Sequence, residues 1–320
     1  MANEYTLADY QLTAPPITRA VIKTWREASL IMDMLSFKTD AQLVQEGIRF
    51  NSLPTVPWRK IGEAFSDLKV NPDPWRERLH FLGAKIDVAK EYVQARSLVD
   101  VRAQQSEAIM KASAFSFNDA FFNNTPTGDE DAIVGLWYRI NNDLAAGQKF
   151  DAGLDVSTDT AVTTWQHRMF DQVDNLLDRV DGEANQKVLF MGRTLYFRFV
   201  SALRSANQLF TEDWAGKKLV TYGTGGAKVV QAGYKVDQST QILGDVEVND
   251  TALSGGSESS MYCVRFGEPY VAGWAMQMPT AEDVGLLESR VAYRTVVDGS
   301  IGIYLVSPRP AALAWGWTAA

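Results

Sequence analysis

One stretch constrains this chain more than any other. Residues 88–122 hold no Pro or Gly, and Val88, Tyr92, Ala95, Val99, Ala103, Met110, Phe117 and Phe121 recur at intervals of three, four or seven. Such spacing keeps apolar side chains on one stripe of an α-helix. At about 1.5 Å per residue the helix would be on the order of 50 Å long. Lys90, Arg96, Arg102, Gln105 and Lys111 occupy the other side, and Asn123-Asn-Thr-Pro-Thr-Gly128 stops the pattern. A narrow stripe opposite a polar face describes a spine lying on a sheet, not a rod buried all round.

The segment before it has the opposite texture. Pro54, Pro57, Pro72 and Pro74 punctuate residues 48–87. Residues 49–53, 56–61 and 75–82 read as strands of a long hairpin, with Trp75, Glu77, Leu79 and Phe81 on one face. A lone two-stranded ribbon is marginal in water. Trp58, Ile61 and Trp75 therefore need a surface to lie on, supplied by another subunit or by the chain's own domain. Further upstream, Pro15 and Pro16 predict an extended arm over residues 1–26. Short helices are expected at 25–34 and 40–46, the second closed by Gly47.

Downstream, Ile133 to Ile140 opens a second region, and the polar stretch 141–160 reads as a loop. Val162, Trp165, Met169, Val173, Leu176 and Val180 keep helical register up to Gly182, a candidate C-terminal cap. A buried strand at 187–191 and a helix carrying Leu195, Phe199, Ala202, Ala206 and Leu209 complete a helix–strand–helix order, which signals an α/β layer. Strands are expected at 227–236, 241–248, 261–266 and 270–278, with a Ser/Gly-rich loop at 251–260. Last, Val291, Tyr293, Thr295 and Val297 alternate into Asp298-Gly299, and Ile301, Ile303 and Leu305 alternate out, predicting a hairpin.

Composition narrows function. The net charge of −8 argues against a broad phosphate-neutralising face, and 9 Trp hint at interfaces. A single Cys, Cys263, allows no internal disulfide and reads as a buried strand residue. The first ten residues show neither a basic region nor an apolar run, so no targeting segment is expected. No apolar stretch approaches the roughly 20 residues of a membrane span. The Gly-rich Tyr222-Gly-Thr-Gly-Gly-Ala-Lys228 lacks the Lys-Ser/Thr ending of a phosphate loop and the third Gly of a dinucleotide loop, and reads as a turn. His167 with Asp171 lacks further zinc ligands, His80 reads as a packed or rim residue, and Asp129-Glu-Asp131 reads as a solvated connector. No nucleophile elbow or zincin motif occurs, so no catalytic, metal or cofactor residue is assigned.

The order of arm, proline-punctuated hairpin, spine helix, α/β domain and return hairpin resembles the tailed-bacteriophage major capsid proteins with the Hong Kong 97 fold. The resemblance covers nearly the whole chain. Residues 49–87 look like the family's extended loop, and 88–122 like its spine helix. Gly135-Leu-Trp-Tyr-Arg-Ile140 resembles the lead into the axial domain, while 173–178 with Lys187-Val-Leu-Phe-Met-Gly-Arg-Thr194 is similar to the axial helix–strand–helix. Residues 289–306 resemble the return to the peripheral sheet.

The resemblance implies an α+β fold divided into an N-terminal arm with short helices (1–47), extended loop (48–87), spine helix (88–130), axial domain (131–284), peripheral return strands (285–307) and a C-terminal segment (308–320). It implies a virion shell protein, assembled in a bacterial host cytoplasm as hexamers and pentamers around double-stranded DNA. Its partners would be itself, a portal protein, a separate scaffolding protein and a decoration protein, with no cofactor and no membrane. A scaffold that is a separate protein, or none at all, is expected because only about 25 arm residues precede the first helix. Inter-subunit contact is expected from Trp58, Arg59, Lys60, Ile61, Trp75, Arg76, Glu77 and Arg78, and the loops 141–160 and 251–260 are expected in the axial domain. The alternatives are an encapsulin-like compartment shell and an α/β enzyme with scattered carboxylates.

Overall fold

Ser29 shows how the N-terminal region is built. Its hydroxyl caps the helix Leu30–Met34 by accepting from the Met32 amide at 3.1 Å, and meets Asn118 Oδ1 at 2.5 Å. A cap residue is thereby shared with the helix Val101–Asn123. The computed structural model describes residues 5–13, 16–50, 53–94, 101–145, 147–156, 162–214, 216–245, 258–278, 280–288 and 291–318.

The described residues among 7–26 are helical and not an extended arm, while 1–4 and 14–15 lie outside the described set. Leu7–Thr13 and Pro16–Ala28 are helices, and Pro16 begins the second, where a missing N–H costs nothing. Val21, Ile22 and Trp25 are buried, and the Trp25 indole donates to Ser113 Oγ at 2.8 Å. The expected helix at 40–46 is also absent. Val44–Arg49 is a strand, and Gly47 lies so close to the Trp75 ring that a Cβ would come within 2.6 Å of it.

The spine is shorter than expected. Val88 ends the strand His80–Ala89, the helix Lys90–Gln94 follows, residues 95–100 lie outside the described set, and Val101–Asn123 forms the spine proper. Met110, Ala114, Phe117, Phe121 and Phe122 are buried, whereas Tyr92 and Ala103 are exposed.

Two large sheets organise the chain. The first joins Tyr5–Thr6, Ser36–Thr39, Val271–Ala275, Ala292–Leu305, Thr280–Leu286 and His80–Ala89. Hydrogen bonding thus draws Val271–Ala275 and Thr280–Leu286, expected within a region running from 131 to 284, into one sheet with Ala292–Leu305 and His80–Ala89. Ala292–Leu305 is one continuous strand, not a hairpin: Asp298 and Gly299 lie inside it, pairing with Gly83 and Leu82.

The second sheet has the order Lys149–Asp155, Ala311–Thr318, Ser259–Arg265, Lys187–Met191, Lys228–Gln231, Lys217–Tyr222, Leu209–Trp214. Its central strand is buried throughout, and alternation splits it between two cores. Val188 and Phe190 face the core shared with the spine, while Leu189 and Met191 face the helices Val162–Asp178 and Arg193–Ser205. This is the expected α/β layer. Phe122 seals its spine side, 5.4 Å from the Phe190 ring and 5.2 Å from that of Tyr262. Cys263 is fully buried here, and burial pushes its thiol up to about 12.

Several smaller expectations change. The polar stretch 141–160 contains the strand Lys149–Asp155, parallel to Ala311–Thr318, with residues 157–160 outside the described set. The expected strand at 227–236 shortens to Lys228–Gln231, and the one at 241–248 reduces to a single bridge, Tyr234 to Gln241, its end outside the described residues. Ala206 ends the helix Arg193–Ser205 as its cap, and Leu209 begins a strand. The Gly-rich segment is a turn between Lys217–Tyr222 and Lys228–Gln231, with Gly223 and Gly225 at φ +76° and +64°. Residues 251–257 of the Ser/Gly-rich loop lie outside the described set.

Candidate assembly interface

The proline-punctuated segment divides into an anchored base and a bare tip. Its base is a two-stranded ribbon, Val44–Arg49 with Asp73–Arg78, paired from Val44–Arg78 to Arg49–Asp73. Trp75 stacks on Tyr304 of the long strand Ala292–Leu305, with centroids 6.0 Å apart and planes at 10°. Leu79 is buried with Ala272, Trp274 and Tyr304.

Charge fixes the base more tightly still. Arg139, in the helix Leu136–Asn142, is buried and grips Glu77 with two guanidinium nitrogens; the Nη2–Oε2 distance is 2.9 Å. Its Nε donates to the Val134 carbonyl at 3.0 Å. Arg49, also buried, donates to the carbonyls of Asp143 at 2.6 Å and Leu305 at 2.5 Å. Bidentate, charge-assisted contacts of this kind are stiff and directional. Burial lowers the Arg49 pKa and raises that of Asp143, each disfavouring the charged form. The two arginines join three things at one point: the ribbon, the helix Leu136–Asn142, and the end of the strand Ala292–Leu305.

The tip has no such anchoring. Trp58 and Ile61 are 101% and 107% exposed, and Leu53, Val56 and Phe65 are also exposed. Yet it has local order. Lys60 to Glu63 form a turn, with Gly62 at φ +90° and the Glu63 amide donating to the Lys60 carbonyl at 3.2 Å. Glu63 accepts from the Lys60 amide at 2.9 Å, and the Arg59 guanidinium lies 4.1 Å over the Phe65 ring.

The expected contact residues therefore fall into two groups. Trp58, Arg59, Lys60 and Ile61 stand exposed on the tip. Trp75 and Glu77 have partners in their own chain, Arg76 meets Glu46 at 3.0 Å on the surface, and Arg78 is exposed. Phe81 does not share the face of Trp75, Glu77 and Leu79. The chain changes sheets at Leu79, and from there the even residues Leu82, Ala84, Ile86 and Val88 turn inward, leaving Phe81 out.

Sequence reasoning missed Arg49, Arg139 and Tyr304. A signal existed for Arg139: Glu77 sits between Trp75 and Leu79 on an inward face, and a buried carboxylate demands a cation. The other polar candidates sit apart. His167 is exposed, and Asp129, Glu130 and Asp131 form an exposed connector. His80 is half-buried, its Nδ1 2.8 Å from the Asp131 carbonyl, and burial lowers its pKa. Among the described residues no group of three His, Cys, Asp or Glu could hold a metal, and no helix is long and apolar enough to cross a membrane.

No family model matches the sequence, and no curated protein does. Solved structures do match in fold. The holo-SrpI encapsulin complex from Synechococcus elongatus is similar at 13% identity and TM-score 0.56, covering 98% of this chain and 95% of that one. A structure of Microbacterium phage Oxtober96 is similar at 14% and 0.57, covering 89% and 90%. The capsid of an empty GTA particle is similar at 14% and 0.57, covering 90% of each chain. The likeness in fold runs nearly end to end.

Proposed function

Because this chain has the Hong Kong 97 fold, the fold of phage capsids and encapsulins, we propose that it is the major capsid protein of a tailed bacteriophage. It assembles as hexamers and pentamers into an icosahedral shell around double-stranded DNA. One observation carries the reading: a pre-ordered tip with Trp58 and Ile61 bare to solvent, held on a rigid ionic base. Fully burying one such side chain contributes roughly 1.5–3 kcal/mol, and Trp58 and Ile61 are left uncovered by their own chain. The role is structural, and a net charge of −8 suits an inner wall that must not bind DNA tightly. A portal, a separate scaffold and a decoration protein are the further partners of this reading, with assembly in the host cytoplasm.

A compartment shell is the second reading, supported by the 98% coverage against the SrpI encapsulin. Particles purified from the native source decide between them. Nuclease-protected DNA of genome length supports the capsid; a co-purifying enzyme cargo without DNA supports the compartment. A protein that stays monomeric or dimeric, even beside its own neighbouring gene products, overturns both.

A further inference from the structure

A cavity of about 370 Å³ opens where the strands Lys187–Met191 and Lys228–Gln231 begin and Ser259–Arg265 ends, with Ser36 of the first sheet also on its wall. That volume suits a small organic molecule. Hydrogen-bond donors dominate its polar wall. Lys228 lines it and is only 7% exposed. The Lys228 Nζ donates to the Asn185 carbonyl at 3.0 Å, lies 5.0 Å from the centre of the Trp214 ring and meets Glu212 at 3.5 Å. Glu212 is half-exposed and outside the lining, and a wet carboxylate compensates a buried ammonium only in part. Arg265 lines the same cavity. Its guanidinium lies 3.6 Å over the Tyr270 ring, and its Nη1 donates to the Asp181 carbonyl at 3.1 Å. Gly182 leaves room for that pose, since a Cβ there would collide with the guanidinium. Among the described residues no carboxylate pairs with Arg265. Two more lining residues, Trp214 and Ser36, carry a buried Nε1 and a buried Oγ without a hydrogen-bond partner. An indole N–H can only donate, and a hydroxyl can donate. Buried polar atoms left this way are uncommon. The carboxylate on the lining, Glu268, is exposed.

We propose that this cavity binds a small organic oxyanion, a phosphate or carboxylate attached to an aromatic ring. The oxyanion supplies the acceptors that Trp214 and Ser36 lack and takes charge-assisted hydrogen bonds from Lys228 and Arg265. The ring lies against the aromatic wall of Trp214, Phe266 and Tyr270. A bare inorganic ion would leave most of the volume empty. Ser36 belongs to one sheet and Lys228 to the other, so an occupant ties the two sheets together within one chain. The site is independent of the shell reading.

Binding to the full chain is measured by calorimetry and by the shift in Tm. Adenosine monophosphate and phenylacetate are the two ring-bearing anions; adenosine, phenylacetamide and inorganic phosphate are the controls. At least one of the two anions is expected to bind once per chain with a Kd of about 1 mM or tighter and to raise Tm. Which of them binds separates a phosphate ligand from a carboxylate one. Each control is expected to bind about tenfold more weakly or worse. Lys228→Met is expected to abolish binding. Trp214→Phe, which keeps a ring and removes the N–H, and Arg265→Gln are each expected to weaken it about tenfold. Lys228 is buried, so the Tm of each ligand-free variant is read first; if Lys228→Met fails to fold, the other two carry the test. Failure of both anions to bind, a control that binds as tightly, or unchanged affinity in the folded variants overturns the site. None of these outcomes bears on the shell reading, which particle formation decides.

Discussion

Arg139 and Glu77 set the energetics at the residue scale. Removing one partner of a buried pair leaves the other charge desolvated and uncompensated. Glu77→Gln is therefore expected to destabilise the subunit by about 3 kcal/mol, read as a drop in Tm of unassembled protein; an unchanged Tm would show that Arg139 finds a substitute. His80 gives a pH dependence. Burial holds its pKa below the ordinary 6.5, so the folded state favours the neutral ring. Its contribution is complete above pH 6.5 and is lost as pH falls through its lowered value, because the unfolded chain takes the proton first. Melting curves from pH 7.5 to 5 should show this loss, and His80→Gln should flatten that part of the profile.

At the scale of elements, the long strand Ala292–Leu305 is instructive. Asp298-Gly299 suits a two-residue turn, yet the chain runs straight through it. The reason lies in phase. A turn there would set Val296 opposite Ile301, placing Ile301 and Val297 on different faces. Thr295, Val297, Ile301, Ile303 and Leu305 all fall on odd positions, which only an unbroken strand keeps on one face. The loop shows a second division, between base and tip. Trp75→Ala should destabilise the subunit itself by about 2 kcal/mol, since the indole stacks on Tyr304 of its own chain. Trp58→Ala should leave subunit stability within about 0.5 kcal/mol and reduce assembly. Paired melting and sedimentation measurements separate the two; equal effects of both variants on Tm would erase the division.

For the whole molecule, the two sheets and the spine form cores to which the tip adds nothing. Replacing residues 54–71 with a short Gly/Ser linker should yield a folded monomer with near-native circular dichroism that does not form shells. A variant lacking the tip that still assembles normally would remove the loop from the interface. The Arg49–Arg139 junction should survive this deletion, because all its partners lie outside the excised residues.

What the sequence determined by itself was local or periodic. The apolar stripe ending in Phe117 and Phe121 marked the spine, the run from Lys187 to Met191 a buried strand, and Val173 with Leu176 an amphipathic helix. Each depends on spacing within a few turns; the strand and the second helix appear in place, and the spine keeps only its C-terminal part, Val101–Asn123. The exposure of Trp58 and Ile61 was legible too, since proline-punctuated chain has no core of its own. Tertiary structure decided the rest. Whether residues 16–28 extend or coil depended on a surface for Val21, Ile22 and Trp25, which the spine supplies. Lys149–Asp155 became a strand because Ala311–Thr318, far along the chain, offers it an edge. Arg139 and Glu77, and Trp75 and Tyr304, are remote in sequence, and their pairing follows from the crossing of ribbon, helix and strand at one point. A charged or aromatic side chain carries no periodic signature of its partner. Only the fold brings the two within reach.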